Sequence, residues 1–186
     1  MKLKANVLML FACLLVLPVL AAAQANPDTV LAEVAKIDNS TWSVTVSCTN
    51  TKDIVGLTVP FKMSAGTNMI VADSAIYTGG RVTHFNYRGF RADTAIQCVT
   101  LGMVANLGPS DNKLAPGTGR LVTVFVSSLE DKPIENLTVD TTTTEPSNSL
   151  LLFAHKSYAD GMVDATTTEK AAKRSLVPVW VVRKAE

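Results

Sequence analysis

Short runs in which apolar and polar side chains alternate at every second position, separated by turn residues, recur along the chain. The clearest is "TWSVTVSCT" (41–49). It puts Trp42, Val44, Val46 and Cys48 on one face and Ser43, Thr45 and Ser47 on the other, the pattern of a half-buried strand. Asp38, Asn39 and Ser40 separate it from "TVLAEVAKI" (29–37). "IVGLTVPFKM" (54–63) gathers Leu57, Val59, Phe61 and Met63, and its Pro60, which cannot donate to a ladder, predicts an edge position or a bulge. Further strands are expected at 69–77, 81–87, 94–105, 119–127, 135–141, 149–154 and 176–183. About nine short strands joined by turns predict an all-β sandwich or barrel.

Helix is scarce. "TTTEKAAKRS" (166–175) has capping-box spacing between Thr166 and Glu169 but too little apolar content for a core helix, so one or two short helical turns are expected. In "KLAPGTGRLVTVFV" (113–126), Pro116 fixes φ for a turn and Gly117 and Gly119 permit positive φ. Leu121 to Val126 then enters the sheet.

Composition sets the compartment. Lys2 and Lys4, the apolar run from Val7 to Leu20 and the small residues Ala21–Ala25 read as a secretory signal peptide over residues 1–25. That leaves residues 26–186 as one domain without a transmembrane segment, expected outside the cytoplasm of a bacterium: released, held at the surface or periplasmic. Without Lys2 and Lys4 the balance is 15 basic against 16 acidic residues, which argues against nucleic acid as a partner. Two cysteines remain, Cys48 and Cys98; in an oxidising compartment an even count reads as a disulfide, the alternative being two small buried hydrophobes.

No catalytic constellation is patterned. The two histidines, His84 and His155, lack a patterned nucleophile, and with two cysteines they do not make a zinc set, so neither enzyme nor metal site is expected. Asp73, Asp93 and Asp111 offer no pair that spacing alone can place. Asp160-Gly161 in "YADGMVDA" (158–165) reads as a hairpin turn rather than a calcium loop. No cofactor is expected, and calcium stays open, because sandwich calcium sites carry no local signature.

One segment differs in kind. "AIYTGGRVTHFNYRGFRAD" (75–93) interleaves Tyr77, Phe85, Tyr87 and Phe90 with Arg81, Arg88 and Arg91, residue types enriched at binding hot spots. Phe85 and Tyr87 would share a strand face; the other reading makes them core and leaves the arginines solvated.

The order "PDTVLAEV", "IVGLTVPFKM", "CVTLGMVANLGPSDNKLAPGTGRLVTVFV", "ENLTVDTTTTEPSNSLLLF" and a closing apolar strand resembles the cohesin-type domains of secreted bacterial proteins. Their P-G-x-G-x-L-x-x-[IV]-x-F pattern is met by Pro116, Gly117, Gly119, Leu121 and Val124, with Phe125 one place early or Val126 in its stead. The resemblance covers about residues 27 to 183 and implies a jelly-roll β-sandwich of about nine strands that binds rather than catalyses. It implies a dockerin-like protein module or, through the wider superfamily of carbohydrate binders, a polysaccharide as partner. It also sets the 75–93 segment near the sheet that cohesins use for dockerins. The competing reading is a structural or surface-assembly sandwich that pairs through an exposed strand such as 176–183.

Overall fold

The computed structural model describes residues 27–107, 111–144 and 148–185; the signal peptide expected over 1–25 lies outside them. The described strands are β1 (Thr29–Lys36), β2 (Thr41–Asn50), β3 (Ile54–Ser64), β4 (Ile70–Ile76), β5 (Tyr87–Asp93), β6 (Cys98–Val104), β7 (Gly117–Ser128), β8 (Thr138–Thr141), β9 (Leu151–Ala154), β10 (Ser175–Leu176) and β11 (Val179–Lys184). Among the described residues one helix, α1 (Thr167–Arg174), follows a 3-10 turn at Lys156–Ala159. The capping box expected of Thr166 and Glu169 starts α1. No described helix is long and apolar enough to cross a membrane.

Two sheets pack face to face. The first has the order β11-β1-β2-β7-β4 and the second β10-β9-β3-β6-β5, with β8 beside β9 on the same flank of β3. All described pairings are antiparallel except β1 with β11, the first described strand with the last.

Alternation decides which side chains fill the sandwich. In β2 each even-numbered residue from Trp42 to Asn50 is buried. Across the sandwich Leu57, Val59, Phe61 and Met63 of β3 face inward with Val99, Leu101 and Met103 of β6, all at most 2% exposed. At ~25 cal/mol per Å2 of apolar area removed from water, each such side chain contributes about 1.5–3 kcal/mol. Trp42 also donates its indole N–H to the Ile134 carbonyl at 3.0 Å, so this large ring is buried without an orphaned donor.

Three local expectations are corrected. Pro60 lies in a central strand, not at an edge. Met63 donates to Gln97 and Ala105 to Val55, so the odd-numbered backbone groups of β3 face β6 and the even-numbered ones face β8 and β9. β9 pairs with residues 54–58 and β8 with 61–64, and the missing Pro60 donor falls in the gap between them. Second, residues 81–86 are not a strand: turns at Gly80, Thr83 and Phe85 carry the chain into β5. Third, Asp160-Gly161 joins the 3-10 turn to the segment before α1 and makes no hairpin.

The expected disulfide is absent as well. Cys48 and Cys98 are both buried free thiols. Cys48 lies in the first sheet two residues before the end of β2, near the start of β3. Cys98 lies in the second sheet opposite Lys62, near the end of β3. At ~3.3 Å per residue this places them on the order of 20 Å apart along the strands, far beyond the ~7 Å limit for a bridge.

β7 explains the glycine-rich turn and the odd register of the motif that follows. Val46 pairs with Val122 and Ser47 with Arg120, leaving Leu121 as an extra residue. This bulge lets both Leu121 and Val122 point inward and sends Val124 and Val126, not Phe125, into the core.

Candidate functional site

The segment 75–93 does not present its aromatic and basic side chains on one surface. Phe85 is 2% exposed and belongs to the core. Tyr77 follows β4 in the first sheet and donates its hydroxyl to the Gly89 carbonyl of β5 at 2.8 Å, pinning the two sheets together at one flank. Burial pushes its phenol up to about 12.

Arg81 serves the same structural end. Its guanidinium donates to the carbonyls of Cys48 (2.9 Å), Gly117 (2.9 Å) and Ala115 (2.6 Å) and to the side-chain oxygen of buried Asn50 (2.8 Å). Gly117 and Gly119 have φ of 149° and 156°, and a Cβ on either would stand 3.3 Å and 3.0 Å from the Arg81 side chain. The glycines of the 113–126 motif therefore supply both the backbone conformation and the groove in which Arg81 lies.

Register separates the remaining four. Arg88 and Phe90 lie opposite Met103 and Leu101, which point inward; Phe90 packs on the core, and Arg88, at the open edge, donates to the Thr83 carbonyl. Tyr87 and Arg91 lie opposite Val104 and Thr100 and face solvent. Only these two of the seven candidates share the outer face of the second sheet.

What surrounds them was not visible as a segment. Across β5, β6 and β3 the outward positions form rows: Tyr87, Val104 and Gly56; Gly89, Gly102 and Thr58; Arg91, Thr100 and Pro60; Asp93, Cys98 and Lys62. Asp140 of β8 extends the last row beside Lys62. Glycine in the second row leaves a trough in the sheet surface, and the Tyr87 ring occupies it. A Cβ on Gly89 would stand 2.3 Å from the Tyr87 hydroxyl and 2.7 Å from its ring carbon, and one on Gly102 would stand 3.7 Å from the ring. One side of the ring thus rests on backbone, while the residue remains 49% exposed.

Charges of both signs, Arg91 and Lys62 with Asp93 and Asp140, lie beyond the ring. Between them a recess of about 230 Å3 is lined by Arg91, Asp93, Cys98, Thr100 and Thr144. Burial raises the Cys98 thiol above its ordinary value, and the thiol donates to the Ile96 carbonyl. A larger recess, about 760 Å3, lies elsewhere, between Ser64–Asn68 and the 132–138 segment, and contains none of the sequence candidates.

A serine, a histidine and a carboxylate do meet at one end of the sandwich. His155 Nδ1 lies 2.8 Å from the Ser157 hydroxyl and Nε2 lies 2.8 Å from Asp111. The same Nδ1 accepts the Ser157 backbone N–H, because His155 caps the 3-10 turn. Asp111 is held below the usual carboxylate range, first by this hydrogen bond and then by the charge of His155. The arrangement fastens the segment at 111 to the turn at 156–159, and its ring nitrogens are occupied by that task. No group of three or more metal-ligating side chains is present among the described residues.

No family model matches the sequence, and no curated protein does. Solved structures match in fold. The sixth cohesin of the Acetivibrio cellulolyticus scaffoldin B, solved with a Cel5 dockerin, aligns with a TM-score of 0.58 at 10% identity, covering 86% of this chain and 100% of that one. A type I cohesin–dockerin complex from Clostridium thermocellum gives 0.58 at 10% identity over 86% and 100%. The second type II cohesin module of the A. cellulolyticus adaptor scaffoldin gives 0.52 at 13% identity over 87% and 96%. The chain is therefore similar to cohesin modules in its jelly-roll sandwich, and at these identities the likeness shows the fold.

Proposed function

We propose that the protein is a secreted, non-catalytic module that holds a protein partner on the outer face of the second sheet, with Tyr87 at the centre of the contact and Arg91 beside it. The observation that carries this reading is the Tyr87 ring seated in the trough over Gly89 and Gly102 with its other side open. A ring already positioned loses little freedom on binding, and tyrosine and arginine are both enriched at hot spots. The mixed charges around it fix orientation more than affinity.

The cohesin resemblance supports the same sheet and makes a dockerin-like module the partner class; secretion rests on the leader expected over residues 1–25. An exposed tyrosine also stacks on sugar rings, so the test must separate protein from polysaccharide. The purified protein is offered to the secreted proteins of the producing cells and to a panel of insoluble polysaccharides, with and without calcium chelation. A protein partner should be captured, and Tyr87→Ala should reduce capture at least tenfold at unchanged melting temperature. Gly89→Ala should act in the same direction, because its methyl group must lift the ring. Retention on polysaccharide alone, or capture indifferent to both substitutions, overturns the reading.

A further inference from the structure

We infer that β11 is a docking edge for a second copy of this chain, the two β11 strands pairing antiparallel about a two-fold axis at Val181. The surface is separate from the Tyr87 face, and the inference stands without it. Among the described residues β11 ends the first sheet and pairs only with β1. Val179 donates to the Asp28 carbonyl and Ala185 to that of Val34, so the odd-numbered amides serve the parallel ladder. The amides and carbonyls of Trp180, Val182 and Lys184 point away from the sheet, open to another strand.

Side chains leave this edge unguarded. Val179, Val181 and Val182 are 47%, 38% and 42% exposed, and no proline or bulge interrupts the strand. The opposite edge of the same sheet is guarded: β4 has a register break between Ala72 and Ser74 and an exposed Asp73 within it. A β11 edge therefore finds its match in another β11 rather than in β4.

Charge selects the antiparallel arrangement. Arg183 and Lys184 close the strand, whereas Asp28 stands beside its first residue. Antiparallel pairing sets Arg183 of each copy opposite Val179 of the other, near Asp28, and keeps the two cationic ends apart. The near balance of 15 basic and 16 acidic residues over 26–186 leaves little repulsion between copies at a distance. About Val181, the outward amides of Trp180 and Val182 pair reciprocally. Val181 meets its own counterpart at a non-hydrogen-bonded position, where side chains approach closest. A two-fold axis perpendicular to the joined sheet keeps both second sheets on one side, so the pair is bivalent toward anything bound there.

The test is sedimentation of the full purified chain from about 10 μM to about 1 mM, the range in which small interfaces associate. A monomer–dimer equilibrium is expected. Val182→Pro removes an amide that the monomer does not use, so it should abolish the dimer and leave the melting temperature unchanged. Under mild oxidation Val181→Cys should give an interchain disulfide, and Val179→Cys should not. A monomer throughout, a dimer surviving Val182→Pro, or equal cross-linking from both cysteine variants would overturn the inference.

Discussion

Replacing Arg81 with alanine removes a guanidinium that four acceptors share. The bonds to the Gly117 and Ala115 carbonyls are exposed, and water replaces them at little cost. Those to the Cys48 carbonyl and Asn50 are partly buried, and Asn50 itself is 2% exposed. A hydrogen bond from a charged donor contributes ~1.5–3 kcal/mol. Against this stands the cost of partly burying the charge, which lowers the Arg81 pKa. Two effective bonds less that cost leave about 2–3 kcal/mol, or a melting temperature lower by roughly 5–10 °C for a domain of this size. Arg81→Lys should recover less than half, because one ammonium cannot span acceptors on β2 and on the 115–117 turn together. Denaturant titration of the two variants and of Arg91→Ala, an outward position expected to change stability by less than ~0.5 kcal/mol, is the assay. A loss below ~1 kcal/mol for Arg81→Ala, or full recovery by lysine, would refute the view that the forked geometry fastens these strand ends.

Other outcomes follow from the same structure. Thiol titration of residues 26–186 in denaturant without reductant should count two free thiols, and the native chain should react slowly, since burial pushes Cys48 up to about 12 and raises Cys98; a count of zero would mean a bridge. Gly80→Ala would place a Cβ 2.3 Å from the Leu121 carbonyl oxygen, against backbone that cannot yield, and should cost more than ~2 kcal/mol. Gly66→Ala, with open space but φ of 66°, should cost only about 1–2 kcal/mol in a denaturant titration. Asp38 is held below its ordinary value, chiefly by the Ser40 amide, and Asp111 by His155. Each therefore supports the fold above pH ~4 and loses that contribution as pH falls through its depressed folded value. Asp38→Asn with Asp111→Asn should flatten the acid limb of a stability–pH profile, and an unchanged limb would assign acid unfolding to other groups.

How much of this was legible in the chain depended on the range of the interaction. The β2 pattern from Trp42 to Cys48, the turn in which Asp38 accepts the Ser40 and Thr41 amides at 2.8 Å, and the Thr166–Glu169 box are local, and each was readable. Residues 81–86 alternate like a strand, yet the turn bonds from Thr83 to Gly80 and from Phe85 to Val82, and the bond from Arg81 to Arg120 of β7, claim them first. Cysteine parity carried no information on which sheet, or which end of it, each thiol occupies. Composition drew attention to 75–93, but only register distinguishes Tyr87 and Arg91, facing out, from Phe90, facing in. The trough needs Gly89 and Gly102 to fall side by side from separate strands, an adjacency that no single segment encodes.

The parallel pairing of β1 with β11 has a mechanical consequence. Thr29 lies beside Val179 and Val34 beside Lys184, so the chain enters this pair at one end and leaves it at the other. Tension applied through the two ends pulls the strands past each other and strains all their cross-links at once, whereas a hairpin peels open one bond at a time. The Trp180 ring, stacked on Phe61 at 6.3 Å, must also be dragged across the core before the strands part. A module that carries load between its two ends would therefore resist unfolding first at the pair formed by β1 and β11.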